Sequence, residues 1–147
     1  MDKLNEIFSL QSSLNDGIFK KQDIRAPDGQ VLTMSAIHAA LERGELGPNG
    51  LPNQWLRNYL RALQDECAEL DRDLLWKWWS KDKIDLQNAR VEIVDMLHFL
   101  VSLALTAGLT ADEFHRLYMA KHEVNQKRQE SGYSKENKNE AENRRIV

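Results

Sequence analysis

Four carboxylates in this chain come as two pairs at the same spacing, Glu66-Cys-Ala-Glu69 and Glu92-Ile-Val-Asp95. Residues three apart share a face of an α-helix, so each pair projects two carboxylates from one helix side. Four such groups brought together repel one another unless a cation lies between them. Oxygen ligands with no cysteine partner suit a hard ion, Mg²⁺ or Mn²⁺. The chemistry this predicts is divalent-cation binding of the kind that handles phosphates. Acidic residues at this spacing also occur on any solvated helix face, so the surroundings carry the weight. Around the second pair almost every residue is apolar: Val91, Ile93, Val94, Met96, Leu97, Phe99, Leu100, Val101, Leu103 and Leu105. A helix apolar all round is expected to be buried. On it Asp95, His98 and Ser102 fall within about 60° of one another, with Glu92 about 60° further round. That is one polar stripe on a buried helix, where a carboxylate needs a partner or a metal.

Other polar residues have two readings each. Gln11 and Asn15, four apart near the apolar stripe of a first helix, are either surface amides or groups that read a nucleobase edge, since an amide both donates and accepts. Trp76-Lys77-Trp78-Trp79 either locks helix packing or a subunit interface, or supplies a ring, Trp76 or Trp79, that stacks on a flat ligand. Phe114, Leu117, Tyr118, Lys121, Val124, Asn125 and Arg128 lie on one face of a last long helix. That face turns cationic and amide-bearing toward its C-terminal end, as a phosphate pocket wall requires. His98 is read as a satisfied core histidine ahead of a supporting role beside Asp95, Cys67 as core, and Asp73 as solvated ahead of a supporting role at the carboxylates.

The elements that must hold these groups are helical throughout. A first helix is expected from about residue 3 to 16, with Leu4, Ile7, Phe8, Leu10 and Leu14 as its stripe. Residues 17–53 read as loop-rich, with an Ala-Pro-Asp-Gly turn and a short helix capped by Ser35 and ended by Gly44. The next helix is expected over about 54–74, with Leu56, Leu60, Leu63, Cys67, Leu70 and Leu74 as an apolar seam. Asp85 caps the central helix, which runs to about Thr106 with Gly108 as its stop. Thr110-Ala-Asp-Glu113 is a capping box. Residues 1–132 thus read as a single all-α domain, a compact bundle of four to five helices. Residues 133–147 read as a flexible polar tail able to order over a ligand.

Composition bounds the rest. The chain has 147 residues, 41% hydrophobic and 29% charged, with a net charge of −3. A broad nucleic-acid or anionic-membrane surface is not expected. One cysteine excludes an internal disulfide, and no apolar run suits a leader or a span, so a cytoplasmic protein is expected.

The combination of these pieces resembles the all-α nucleoside triphosphate pyrophosphohydrolases, and within them the dimeric dUTPases and their phage dCTPase/dUTPase relatives. The resemblance rests on Leu10-Gln-Ser-Ser-Leu-Asn15, Asp65-Glu-Cys-Ala-Glu-Leu70, Trp76-Lys-Trp-Trp79, Val91-Glu-Ile-Val-Asp-Met-Leu-His-Phe99 and Lys121-His-Glu-Val-Asn-Gln-Lys-Arg-Gln-Glu-Ser-Gly-Tyr133. It implies Mg²⁺ ligation by Glu66, Glu69, Glu92 and Asp95, with Glu66 or Glu69 activating water. It implies base recognition by Gln11, Asn15 and Asn125, and phosphate contacts from Lys121, Arg128, Tyr133 and the tail lysine Lys138. It also implies a homodimer and hydrolysis of a pyrimidine deoxynucleoside triphosphate, dUTP ahead of dCTP, to monophosphate and pyrophosphate. The chain departs from the larger dimeric dUTPases in being short. Three other readings remain: a MazG-like house-cleaning pyrophosphatase of broad specificity, a ferritin-like di-iron bundle using Asp95-x-x-His98, and a metal-binding helical dimer without catalysis.

Overall fold

A computed structural model describes residues 2–132, 134 and 140–146. The described residues form six α-helices: α1 (Lys3–Lys21), α2 (Met34–Glu42), α3 (Leu51–Asp73), α4 (Leu86–Thr106), α5 (Ala111–Glu130) and α6 (Glu140–Arg144). One isolated antiparallel bridge, Arg25 to Val31, closes the turn between α1 and α2. The all-α expectation stands, with six helices where four to five were expected. The chain divides into two compact units, one ending at Gly108 with α1–α4 and one beginning at Leu109 with α5 and α6.

In the first unit α3 and α4 are the principal packed pair, with α1 and α2 laid against them. The core is built from Phe8 and Phe19 of α1, Met34, Ile37 and Ala40 of α2, Leu51 and Tyr59 of α3, and Ala89, Val101, Ala104 and Leu105 of α4. Polar ties fix the small helix: Asp16 accepts from the Met34 backbone N–H at 2.7 Å. His38 Nε2 donates to the Leu105 carbonyl at 2.7 Å. Gly108 ends α4 at φ +80°, a left-handed position where a Cβ is strained.

Several boundaries differ from expectation for local reasons. Helix α1 runs through Gly17 to Lys21, because Ile18 and the buried Phe19 continue its pattern. Thr33, not Ser35, caps α2 by accepting from the Ala36 N–H. Pro52 at the first turn lets α3 begin at Leu51, since proline lacks only a hydrogen that has no helical partner there. The caps at Asp85 and Thr110 are present as expected, the latter with both halves of its capping box.

Two burial expectations are corrected. Helix α4 is not covered all round: Val91, Ile93, Val94, Leu97 and Leu100 are 42–55% exposed. Cys67 is also exposed, as are Leu60 and Leu74 of the α3 seam. Three partner helices of these lengths cover only part of a helix apolar on every side, and the remainder is left open on the single chain.

Candidate metal and nucleotide site

The carboxylates come together where α3 crosses α4. Glu66, Glu69 and Glu92 each offer an oxygen within 4.8 Å of the other two. Glu92 is buried, and Glu66 and Glu69 are half-buried. The Glu66 carboxyl is held above the usual carboxylate value by burial and by the charges of Glu69, Asp95, Glu92 and Asp65. Asp95 lies outside the tight group of three but shares a cavity wall with Glu66. Asn88, capped onto Asp85 one turn before Glu92, donates to Glu92 at 3.3 Å and to Asp73. Asp73 thus reaches Glu92 through Asn88, the supporting role that the sequence reading placed second to a solvated one; the asparagine that joins the two helix ends was not singled out.

This donor set fits a hard divalent cation. It is all oxygen, and after burial its converging charges are what lift the Glu66 carboxyl. Arg72 reaches Glu69 only as an exposed pair at 3.8 Å.

Beside the carboxylates opens a cavity of about 620 Å³ with Glu66 and Asp95 on its wall. Its volume is that of a small-molecule site. Rings from three helices line it: Phe19, Trp55, Tyr59 and Phe99. Trp55 meets Phe19 edge-on at 4.7 Å and Tyr59 at 5.6 Å between centroids. Burial, aided by the charge of Asp16, pushes the Tyr59 phenol well above its usual range, so it stays a hydrogen-bond donor. Sequence spacing did not single out Trp55 or Tyr59, because both sit on α3 among residues of ordinary amphipathic pattern.

Gln11 and Asn15 line the same cavity and are buried, not surface amides. Gln11 donates to Asn15 Oδ1 at 3.0 Å and to Ser102 Oγ at 3.1 Å. His98 Nδ1 lies 2.6 Å from Gln11 Oε1. His98 is exposed at the cavity rather than a core histidine.

The remaining candidates belong to other segments of the chain. Trp76 and Trp79 sit on the exposed connection after α3, 75% and 60% exposed and 5.9 Å apart between rings. They do not line the carboxylate cavity. Lys121, Asn125 and Arg128 share a face of α5 in the second unit. There Lys121 donates to Asn143 of α6 and Arg128 pairs with Glu142 at 3.5 Å. Tyr133 and Lys138 lie outside the described residues.

A family model described as dUTPase matches residues 3–115. The dCTP pyrophosphatase of Enterobacteria phage T4 is 27% identical over 104 residues, covering 54% of this chain and 61% of that protein. The dCTP pyrophosphatase of Enterobacteria phage LZ5 is 28% identical over 104 residues, covering 54% and 60%. The chain spans about three fifths of the length of these curated relatives. No solved structure matches it. The matched segment holds α1 through α4 with all four carboxylates and the amide pair, and stops before Lys121.

Proposed function

Since the chain belongs to the all-α dUTPase family, we propose that it hydrolyses a pyrimidine deoxynucleoside triphosphate to the monophosphate and pyrophosphate. The observation that carries the reading is the convergence of Glu66, Glu69 and Glu92 at the wall of a ring-lined cavity that also holds Asp95, Gln11 and Asn15. The family and the relatives named as dCTP pyrophosphatases support the reaction class.

Glu66, Glu69, Glu92 and Asp95 would hold Mg²⁺ or Mn²⁺, which supplies charge neutralisation at phosphate oxygens and a bound water of lowered pKa. Glu66 or Glu69 orients a water for attack on the α-phosphorus and takes its proton. Phe99 and Trp55 offer faces on which a pyrimidine stacks, and Gln11 and Asn15 meet its polar edge. Lys121 and Arg128 are assigned to the departing pyrophosphate, with Tyr133 and Lys138 of the following segment, and Asn125 to the base or sugar. Trp76 and Trp79 are reserved as alternative stacking rings.

The same reading takes the protein as a homodimer. Ile7, Leu10 and Leu14 of α1 and Val94 and Leu97 of α4 line an apolar groove of about 230 Å³. With Ile93 and Leu100 they form an open apolar face of the kind that marks an interface.

The experiment is pyrophosphate release from dUTP, dCTP, dTTP and dATP, with and without Mg²⁺, beside Glu69→Ala. Mg²⁺-dependent release from dUTP or dCTP, lost in the variant, is the expected result. Equal release from all four would replace it with the broad house-cleaning reading. No release from any would leave a metal-binding helical protein.

A further inference from the structure

Gln11, Asn15, His98 and Ser102 form one hydrogen-bonded network between α1 and α4, and the serine sets its polarity. Ser102 Oγ donates to the His98 carbonyl, one turn back in α4, at 3.0 Å, a common use of a hydroxyl within a helix. Asn15 Oδ1 is a second, longer acceptor for that hydroxyl at 3.4 Å, but the His98 carbonyl is the nearer, and with the hydrogen there the oxygen accepts from the amide nitrogens. Gln11 Nε2 and Asn15 Nδ2 each lie 3.1 Å from it. Both amides must therefore turn nitrogen toward Ser102, because a flip of either would set oxygen against the serine's lone pairs. The second Gln11 N–H goes to Asn15 Oδ1 at 3.0 Å. The second Asn15 N–H faces the Met34 sulfur at 3.8 Å, a weak acceptor. Gln11 Oε1 is left for His98 Nδ1 at 2.6 Å, which must carry the ring hydrogen. In the neutral ring Nε2 is then an acceptor.

What remains unspent around the amides is lone pairs, on Gln11 Oε1, Asn15 Oδ1 and His98 Nε2. All three residues line the cavity. Cytosine and uracil share the 2-carbonyl and differ at the edge beyond it. Cytosine carries a 4-amino group with two donors beside an N3 that only accepts, whereas uracil carries a single donor, its N3–H, beside a 4-carbonyl that only accepts. The indole N–H of Trp55 and the Tyr59 hydroxyl, also on the cavity wall, can serve the shared 2-carbonyl and do not discriminate. We propose that the acceptor-only edge set by Ser102 on Gln11, Asn15 and His98 makes this site select cytosine over uracil, so that dCTP is the preferred substrate. This rests on the cavity being a pyrimidine nucleotide site, and makes Ser102 a positioning residue for base choice.

The test is kcat/KM for dCTP and for dUTP with Mg²⁺, in the wild type and in Ser102→Ala. An unmatched buried polar group changes such a ratio by about fivefold to a hundredfold, so the wild type is expected to favour dCTP by about tenfold. Ser102→Ala frees one N–H on each amide to meet a 4-carbonyl, and the preference is expected to fall to within about twofold. A purely structural serine would lower both substrates alike and leave the ratio where it was, which would overturn the role of Ser102. A wild type that uses dUTP as well as dCTP would overturn the base choice while leaving the pyrimidine reading intact. If neither is hydrolysed, the pyrimidine reading fails and the inference with it. Circular dichroism reports whether Ser102→Ala folds, and if it does not, the wild-type ratio decides alone.

Discussion

Replacing Glu66 by glutamine keeps the side chain's shape and removes its charge. Oxygens of Glu69 and Glu92 lie within 4.8 Å of the Glu66 oxygen. At that distance two unit charges repel by about 0.9 kcal/mol in water and about 3.5 kcal/mol at an effective dielectric of about 20. Glu66 is half-buried beside an open cavity, so the water-like end of this range applies, about 1 kcal/mol per neighbour. Glu66→Gln therefore relieves about 2 kcal/mol in the metal-free protein, with Asp95 adding in the same direction. For a chain of this size that raises Tm by about 6 °C. Magnesium reverses the order. A cation at about a hundred times its Kd stabilises the wild type by about 2.7 kcal/mol, and the variant, short of one ligand, loses most of that gain. Thermal unfolding followed by circular dichroism, in EDTA and in a Mg²⁺ series, reads both effects. The variant should melt above the wild type in EDTA and below it in saturating Mg²⁺. A variant that melts lower in EDTA, or that gains from Mg²⁺ as much as the wild type does, would refute the three carboxylates as a charged metal site.

The raised Glu66 carboxyl gives a pH dependence of definite sign. Its folded value lies above the ordinary 4.5, so its contribution to stability is present below pH 4.5 and is lost as pH rises through the raised value. Melting of the metal-free protein should show this loss, and Glu66→Gln should remove that component. Leu97→Glu places a charge in the open apolar face of α1 and α4. It should turn the homodimer proposed above to monomer by light scattering without lowering helical content, and an unchanged mass would count against that interface. A Cβ at Gly50 would stand 2.1 Å from the Glu45 carbonyl oxygen, so Gly50→Ala must displace backbone at the start of α3. It is expected to cost about 2–3 kcal/mol, read as a lowered midpoint in urea, and an unchanged midpoint would refute that close packing.

The sequence pattern located the carboxylate pairs, the ends of α4 and the start of α5 with little help from the fold. Spacing of three within a helix is a local property, and so are the caps at Asp85 and Thr110, whose side chains close on backbone a turn away. The resemblance reached the family from short motifs, three of which, at residues 10–15, 65–70 and 91–99, each sit inside a single helix. Burial was misjudged where it depends on other elements. Leu97 and Cys67 have the periodicity of core residues, yet both are exposed, because composition records how much apolar surface a helix has and not how much its neighbours can cover. Gln11 and Asn15 were recognisable as a pair four residues apart. That Ser102, 87 positions beyond Asn15, takes a hydrogen from each and leaves them with lone pairs to offer could come only from packing α1 against α4. Spacing along one helix places side chains on a face; the direction of a hydrogen bond between two helices depends on every partner the atoms meet, and those are chosen by the packing of the whole unit.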